Sequence, residues 1–225
     1  MPKKIVYFII FKFSRNKYWA FTQMGKNSKL INKTKGLLFY KFLGTGGRSG
    51  FSLWPDWSTY AFLTTWENEE DAKKFINKSE IISLYKQKSK SIRLLTLEPF
   101  KSHGKWDGIN PFESNNSNTI LEKKKIAIIT RATLNWSKLF AFWKSVPHSS
   151  TAIKEAKGVL YYKGIGELPF IQQATISIWN SLGDVLNFAY NSKKHADIIK
   201  KTRKEKWYKE ELFSRFIILE DKQIF

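Results

Sequence analysis

The chain has 225 residues, of which 42% are hydrophobic and 16% aromatic, enough to bury a core and too apolar for a disordered segment. It contains no cysteine, which excludes disulfides, thiolate catalysis, iron–sulfur clusters and thiolate-ligated haem. Lysine and arginine number 39 against 19 aspartate and glutamate, a formal net charge of +20; a field of that sign attracts nucleic acid or anionic lipid, and also keeps a protein soluble.

The first apolar run, Ile5 to Phe11, stops at Lys12, well short of the roughly 18 residues a membrane-crossing helix needs. Lys3 and Lys4 before it imitate a signal peptide, but the run is short and no small-residue cleavage site follows, so it reads as the opening strand of a cytoplasmic protein. The spacing predicts a strand over 5–14, a helix over 18–30 and a strand over 37–43. Alternation resumes over 60–67, Ala72, Phe75 and Ile76 give 68–88 a helical period, and 92–97 closes as a strand. The stretch from Glu98 to Thr119 is rich in Gly, Asn, Ser and Pro and reads as a linker or a functional lid. Beyond it come strands near 125–134, 159–165, 173–179 and 213–219, with helices near 136–145 and 182–210.

The two halves of this order match in sequence. Lys35 to Gly44 reads KGLLFYKFLG and Lys157 to Gly166 reads KGVLYYKGIG, with six of ten positions identical at an offset of 122, which marks an internal repeat. Ala20-Phe21 recurs as Ala141-Phe142, and Trp66 and Phe75 keep their spacing in Trp179 and Phe188. The order βαββαβ in each copy is the ferredoxin-like unit, an antiparallel sheet with helices on one face. Two such sheets facing each other form a single-chain dimeric α+β barrel, with expected boundaries 1–100 for the first repeat, 101–123 for the linker or lid, and 124–225 for the second repeat, which carries the site.

Several motifs carry less than they suggest. GTGGRSG, from Gly44 to Gly50, lacks the GK[ST] ending of a phosphate loop and no helical pattern follows it. KGLLFYKF at Lys35 partly matches an RNA-recognition signature, but that motif belongs on a third strand and here falls on the second. Three histidines are too few for a multi-histidine metal site and leave a single axial ligand as the natural alternative. His195 heads an apolar helical face with Ile198, Ile199 and Thr202, which aims it inward as a ligand or as a hydrogen-bonded core histidine. His148, after Pro147, and His103, beside Gly104, read as exposed. Alternation on 125–134 sets Ile129, Arg131 and Thr133 on one face. Gln173, Thr175, Ser177 and Trp179 form a second alternating set, which suits a ligand cavity or a solvated face.

Longer blocks then become recognisable: WAFTQMG at Trp19, GFSLWPD at Gly50, HGKWDGINPF at His103, TRATLNWSKLFAFWKSVP at Thr130, GIGELPFIQQATISIWNS at Gly164, and HADIIKKTRKEKWYKEELFSRF at His195. Together they resemble the spheroidene monooxygenase family over nearly the whole chain. The resemblance implies a haem-dependent enzyme that inserts oxygen from O2 into a linear carotenoid, with a b-type haem (iron) in the second repeat and His195 as its proximal ligand. It further implies Arg131 and Gln173 as catalytic groups on the distal side, Arg215 or Lys163 pairing the propionates, and Trp179 and Trp207 lining the haem. Implied partners are the carotenoid, O2, an electron donor such as a ferredoxin, and an anionic membrane surface docked peripherally; nucleic acid is not expected, and the chain is a monomer or homodimer. Other haem chemistry, such as haem degradation or oxime chemistry, and a basic nucleic-acid-binding module stand as alternatives.

Overall fold

The computed structural model describes residues 3–26, 31, 34–47, 52, 54–113, 121, 123–168, 170–191, 205 and 207–225. Its eight strands are β1 (Ile5–Lys12), β2 (Leu37–Gly46), β3 (Pro55–Trp66), β4 (Ser91–Gly104), β5 (Ile126–Leu134), β6 (Val159–Gly166), β7 (Gln172–Trp179) and β8 (Tyr208–Gln223). They close into one antiparallel barrel in the order β1-β3-β2-β6-β7-β5-β8-β4. The first repeat adds helices α1 (Lys17–Lys26), α2 (Glu69–Lys78) and α3 (Glu80–Lys88); the second adds α4 (Leu139–Lys154), entered through a 3-10 turn at Trp136–Lys138, and α5 (Leu182–Asn191). The expected tandem pair of βαββαβ units is therefore present as a closed α+β barrel.

Closure explains the unbroken apolar run of β1. Val6, Phe8 and Ile10 point into the barrel with Leu63, Leu95 and Ile129, while Ile5, Tyr7, Ile9 and Phe11 point outward beneath α1, α2 and α3. A strand buried on both faces has no polar side to alternate with. The second repeat repeats the design: Ala127 and Ile129 lie inside, and Ile126 and Ile128 pack outward with Ile153 and Val185 of the helices.

The repeat is also legible in local detail. The Trp66 indole donates to Thr64 Oγ1 at 2.8 Å, and that of Trp179 donates to Ser177 Oγ at 2.9 Å. Gly36 and Gly158 both hold positive φ, 74° and 84°; a Cβ at either would meet the side chain of Asp71 or Asp184, so glycine is required for both conformation and space.

Two seams join the halves. Between β2 and β6 the pairing is confined to Gly44 with Gly166 and Thr45 with Ile165. Between β4 and β8 it runs from Arg93 opposite Gln223 to Gly104 opposite Leu212. β4 spans both halves, lying beside β1 with its first part and beside β8 along nearly its whole length.

Sequence expectations for several boundaries are corrected. The helix expected over 68–88 is two helices, because Ser79 ends α2 and caps α3, its hydroxyl accepting from the Ile82 amide at 3.4 Å. The helix expected over 136–145 continues to Lys154. The one expected over 182–210 overlaps β8, which begins at Tyr208, and residues 192–204 lie outside the described residues. The segment 101–123, expected to be a linker or lid, starts as the last part of β4. It then turns inward, placing Trp106 and Phe112, both 0% exposed, among the barrel side chains. Among the described residues, no helix is long and apolar enough to cross a membrane.

Candidate functional site

Strand register aligns the two halves residue by residue. Ile5 pairs with Trp66 as Ile126 pairs with Trp179, so positions four and six further along correspond. In the first repeat the helix-facing positions are Ile9 opposite Phe62 and Phe11 opposite Tyr60. In the second they are Thr130 opposite Thr175 and Ala132 opposite Gln173. On the neighbouring strand Phe42 lies beside Phe62, its ring stacked at 4.3 Å; the counterpart is Gly164 beside Thr175.

Five large apolar side chains thus become Thr, Ala, Gln, Thr and Gly on one patch of one sheet face. Protein interiors pack to near-crystalline density, so this face fills less of the layer next to it than its counterpart does, and Thr130, Gln173, Thr175 and Gly164 are each only partly buried. The patch is polar as well as small. Thr130 and Thr175 share a hydrogen bond of 2.6 Å between their hydroxyl oxygens, and Gln173 is half-buried beside Ala132. At its edge the Arg215 guanidinium lies 5.3 Å from the Phe213 ring centre, with Nε buried and, among the described residues, without a hydrogen-bond acceptor. A buried donor left unpaired costs about 1–3 kcal/mol, which an anionic ligand group would recover. The His103 ring stacks on the other neighbour of this row, 5.4 Å from Phe213.

The expected site residues divide between the two faces of the sheet. Gln173, Arg215 and Trp179 lie on the helix side; Trp179 is buried there, its ring 5.2 Å from that of Phe188. Trp207 is buried at the neighbouring end of the barrel, 6.1 Å from Phe142, and donates to Glu205 at 2.6 Å. Arg131 and Lys163 instead point into the barrel. His195, the expected iron ligand, lies outside the described residues. Arg131 and Gln173, expected together on one side of a haem, therefore project from opposite faces.

Inside the barrel Arg131 has defined work. Its guanidinium binds Glu210 and Asp107 and lies 5.6 Å from the Trp106 ring. Glu210 also accepts from the backbone amides of Gly108 at 2.8 Å and Asp107 at 3.1 Å. Desolvation alone would raise the Glu210 pKa, but these two amides and Arg131 hold it below the usual carboxylate range. Lys41 ties Asp107 to Glu167, and Glu167 accepts from the Trp106 indole at 2.7 Å. This chain of charges fastens residues 105–113 into the mouth of the barrel. Lys163 pairs with Asp56 at 3.3 Å, across the β2–β6 seam. Sequence reading missed Glu210, Asp107 and Trp106 as partners of Arg131, although the last two stand in the quoted HGKWDGINPF block.

A closed barrel of two ferredoxin-like halves with a stripped, polar face under the helices of one half defines a single-chain dimeric α+β barrel protein. A solved aldoxime dehydratase shares this fold, with a TM-score of 0.64 at 8% identity over 96% of this chain and 82% of its own. No protein-family model matches the chain. Curated relatives do: among them, the spheroidene monooxygenase of Cereibacter sphaeroides is 34% identical over 213 residues, 93% of this chain, and that of Rhodobacter capsulatus is 30% identical over 201 residues, 89% of this chain and 83% of its own length. The chain belongs to the spheroidene monooxygenase family. Its match spans 65% of the Cereibacter protein.

Proposed function

We propose that the chain is a haem-dependent monooxygenase that oxidises a linear carotenoid, with the haem lying between the second-repeat sheet and its helices. The observation that carries this reading is the replacement of Ile9, Phe11, Tyr60, Phe62 and Phe42 by Thr130, Ala132, Gln173, Thr175 and Gly164 on that face. The residues present fit a haem in two respects: the face carries Thr, Ala and Gly where the first repeat carries Ile and Phe, and Arg215 has a buried N–H without an acceptor among the described residues, to which a propionate could bond. In this reading His195 would hold the haem iron. When bound, the haem supplies activation of O2 and transfer of one oxygen atom to the substrate, drawing two electrons from a donor such as a ferredoxin.

The chain's own residues hold and orient. Arg215 neutralises an acidic edge of the cofactor. The Thr130 and Thr175 hydroxyls, already bonded to each other, can pass a proton or hold a polar atom against the sheet, and the Gln173 amide both donates and accepts. Trp179 and Phe188 close the apolar end and exclude water. Two hydroxylations of one carbon give a gem-diol that loses water to a ketone, which is how such an enzyme would install a keto group at C-2 of the chain. The carotenoid partner would be met at a membrane, with the chain bound peripherally.

The test is spectroscopic and then chemical. Haem added to the purified protein is expected to give a ferric absorption band that His195→Ala abolishes. Supplying acyclic carotenoid, O2 and reductant should yield a product heavier by one oxygen. A colourless protein that takes up no haem overturns the reading, and a haem protein that oxidises no acyclic carotenoid restricts it to cofactor binding.

A further inference from the structure

Away from the candidate slot, one end of the first repeat gathers exposed aromatic rings. Tyr18 is 81% and Trp54 80% exposed, with Trp57 at 53% and Phe21 at 49%. Single exposed rings are ordinary on a protein surface, but adjacent ones are not. These are adjacent. Tyr18 and Phe21 stand three residues apart on α1 and so share a helix face, and Phe21 meets Trp57 edge-on at 5.4 Å between ring centres.

Cations surround them. Lys12, Arg15, Lys17, Lys88 and Lys90 are all exposed, and backbone hydrogen bonds hold their segments together at the same end. The Lys90 amide donates to the Lys12 carbonyl at 2.6 Å, the Phe13 amide to the Ser58 carbonyl at 2.7 Å, and the Asn16 side chain to the Lys88 carbonyl at 3.1 Å. Asp56, next to Trp57, is already engaged with Ser58 and Lys163, so it does not offset these charges.

We infer that this end of the first repeat is the membrane-docking face, with Tyr18, Phe21, Trp54 and Trp57 entering the headgroup region and Arg15 and Lys17 holding anionic lipid. Tryptophan and tyrosine favour the boundary because one end of the ring system is apolar and the other wet. Long lysine and arginine stems lie along apolar surface while their heads reach phosphate. A basic aromatic patch could also suit single-stranded nucleic acid, which stacks bases on open ring faces. Here the edge-on contact of Phe21 with Trp57 occupies a ring a base would need, and the choice of a bilayer also rests on the reading that the substrate is a carotenoid. The Lys17 and Arg15 charges are each expected to contribute about fivefold to partitioning, since a cation near an anionic surface is worth about 1 kcal/mol.

The experiment is vesicle co-sedimentation of the full chain without carotenoid or reductant, so that its result is independent of catalysis. Mixed phosphatidylglycerol–phosphatidylcholine vesicles should bind the protein and pure phosphatidylcholine vesicles should bind it far less. Trp54→Ala with Trp57→Ala, and separately Arg15→Gln with Lys17→Gln, should each lower partitioning at least tenfold with unchanged circular dichroism. Trp136→Ala with Phe140→Ala, on exposed aromatics of the second repeat, should leave it unchanged. No binding to the anionic vesicles, binding indifferent to the first two pairs, loss with the third pair, or tighter binding of a single-stranded RNA by the same face each overturns the proposal.

Discussion

The Thr130 and Thr175 hydroxyl oxygens lie 2.6 Å apart at the positions where the first repeat sets Ile9 against Phe62. The backbone pairing is the same in both halves, and only the side chains differ. One sheet face therefore carries buried bulk at Ile9, Phe11, Tyr60 and Phe62, and its counterpart carries smaller or polar, partly buried side chains at Thr130, Gln173 and Thr175.

Restoring that bulk should separate folding from cofactor binding. Thr175→Phe restores the ring present at Phe62, and Thr130→Ile restores Ile9. The double variant is expected to keep its barrel and to lose haem uptake, read as absence of the ferric absorption band at unchanged circular dichroism. Overpacking costs about 1–3 kcal/mol where no space exists; a loss of stability of that size would show instead that the face is already filled.

Arg215 gives a second, opposite-signed test. Its Nε is buried with no acceptor among the described residues, so Arg215→Met removes an unsatisfied donor while keeping much of the side-chain volume. The haem-free protein should melt higher, by an amount up to about 1–3 kcal/mol, while haem affinity measured by titration falls. A variant that loses stability in the haem-free state would place a partner on Arg215 and remove it as a propionate ligand.

Part of this site was legible in the sequence. Aligning KGLLFYKFLG with KGVLYYKGIG sets Phe42 against Gly164, and the polar alternation of Gln173, Thr175 and Ser177 marks the face. Strand parity also paired Arg131 with Ile129. What parity could not give was which face lies inside, because Ile126 and Ile128 on one side of β5 are as apolar as Ala127 and Ile129 on the other. Arg131 and Gln173 were therefore read onto one side of a pocket when the sheet separates them. Composition reads 101–123 as a linker or lid because Gly, Asn, Ser and Pro are frequent from Glu98 to Thr119; the burial of Trp106 and Phe112 depends on a barrel mouth assembled from strands far away in sequence.

Acid should loosen that mouth. Glu210 has a depressed pKa, because the Gly108 and Asp107 amides and Arg131 outweigh the desolvation that would raise it. A carboxylate depressed in the folded state contributes stability above its ordinary value of about 4.5, and that contribution is lost as pH falls through the folded value. Hydrogen exchange at the Asp107 and Gly108 amides should therefore accelerate below about pH 4.5, ahead of global unfolding. Glu210→Gln should show fast exchange at neutral pH and little further change in acid. Exchange that stays slow in that variant would mean that the buried rings, and not the carboxylate, hold the segment.

The rings set the larger energy. Trp106 is fully buried and packs edge-on against Phe39 at 5.6 Å and Phe112 at 6.5 Å inside the barrel. Trp106→Ala removes a filled volume that fixed strands cannot close, and Phe or Trp to Ala changes in cores cost about 3–5 kcal/mol. The same substitution strips Glu167 of its indole donor and keeps its pairing with Lys41 at 2.5 Å. Denaturant unfolding should show a loss in that range, and Trp106→Phe, which keeps the ring but not the N–H, should lose only about 1 kcal/mol from the hydrogen bond plus the smaller loss of volume. If both variants unfold alike, the Glu167 contact carries the plug; if Trp106→Ala costs under about 1 kcal/mol, residues 105–113 ride on the barrel without stabilising it.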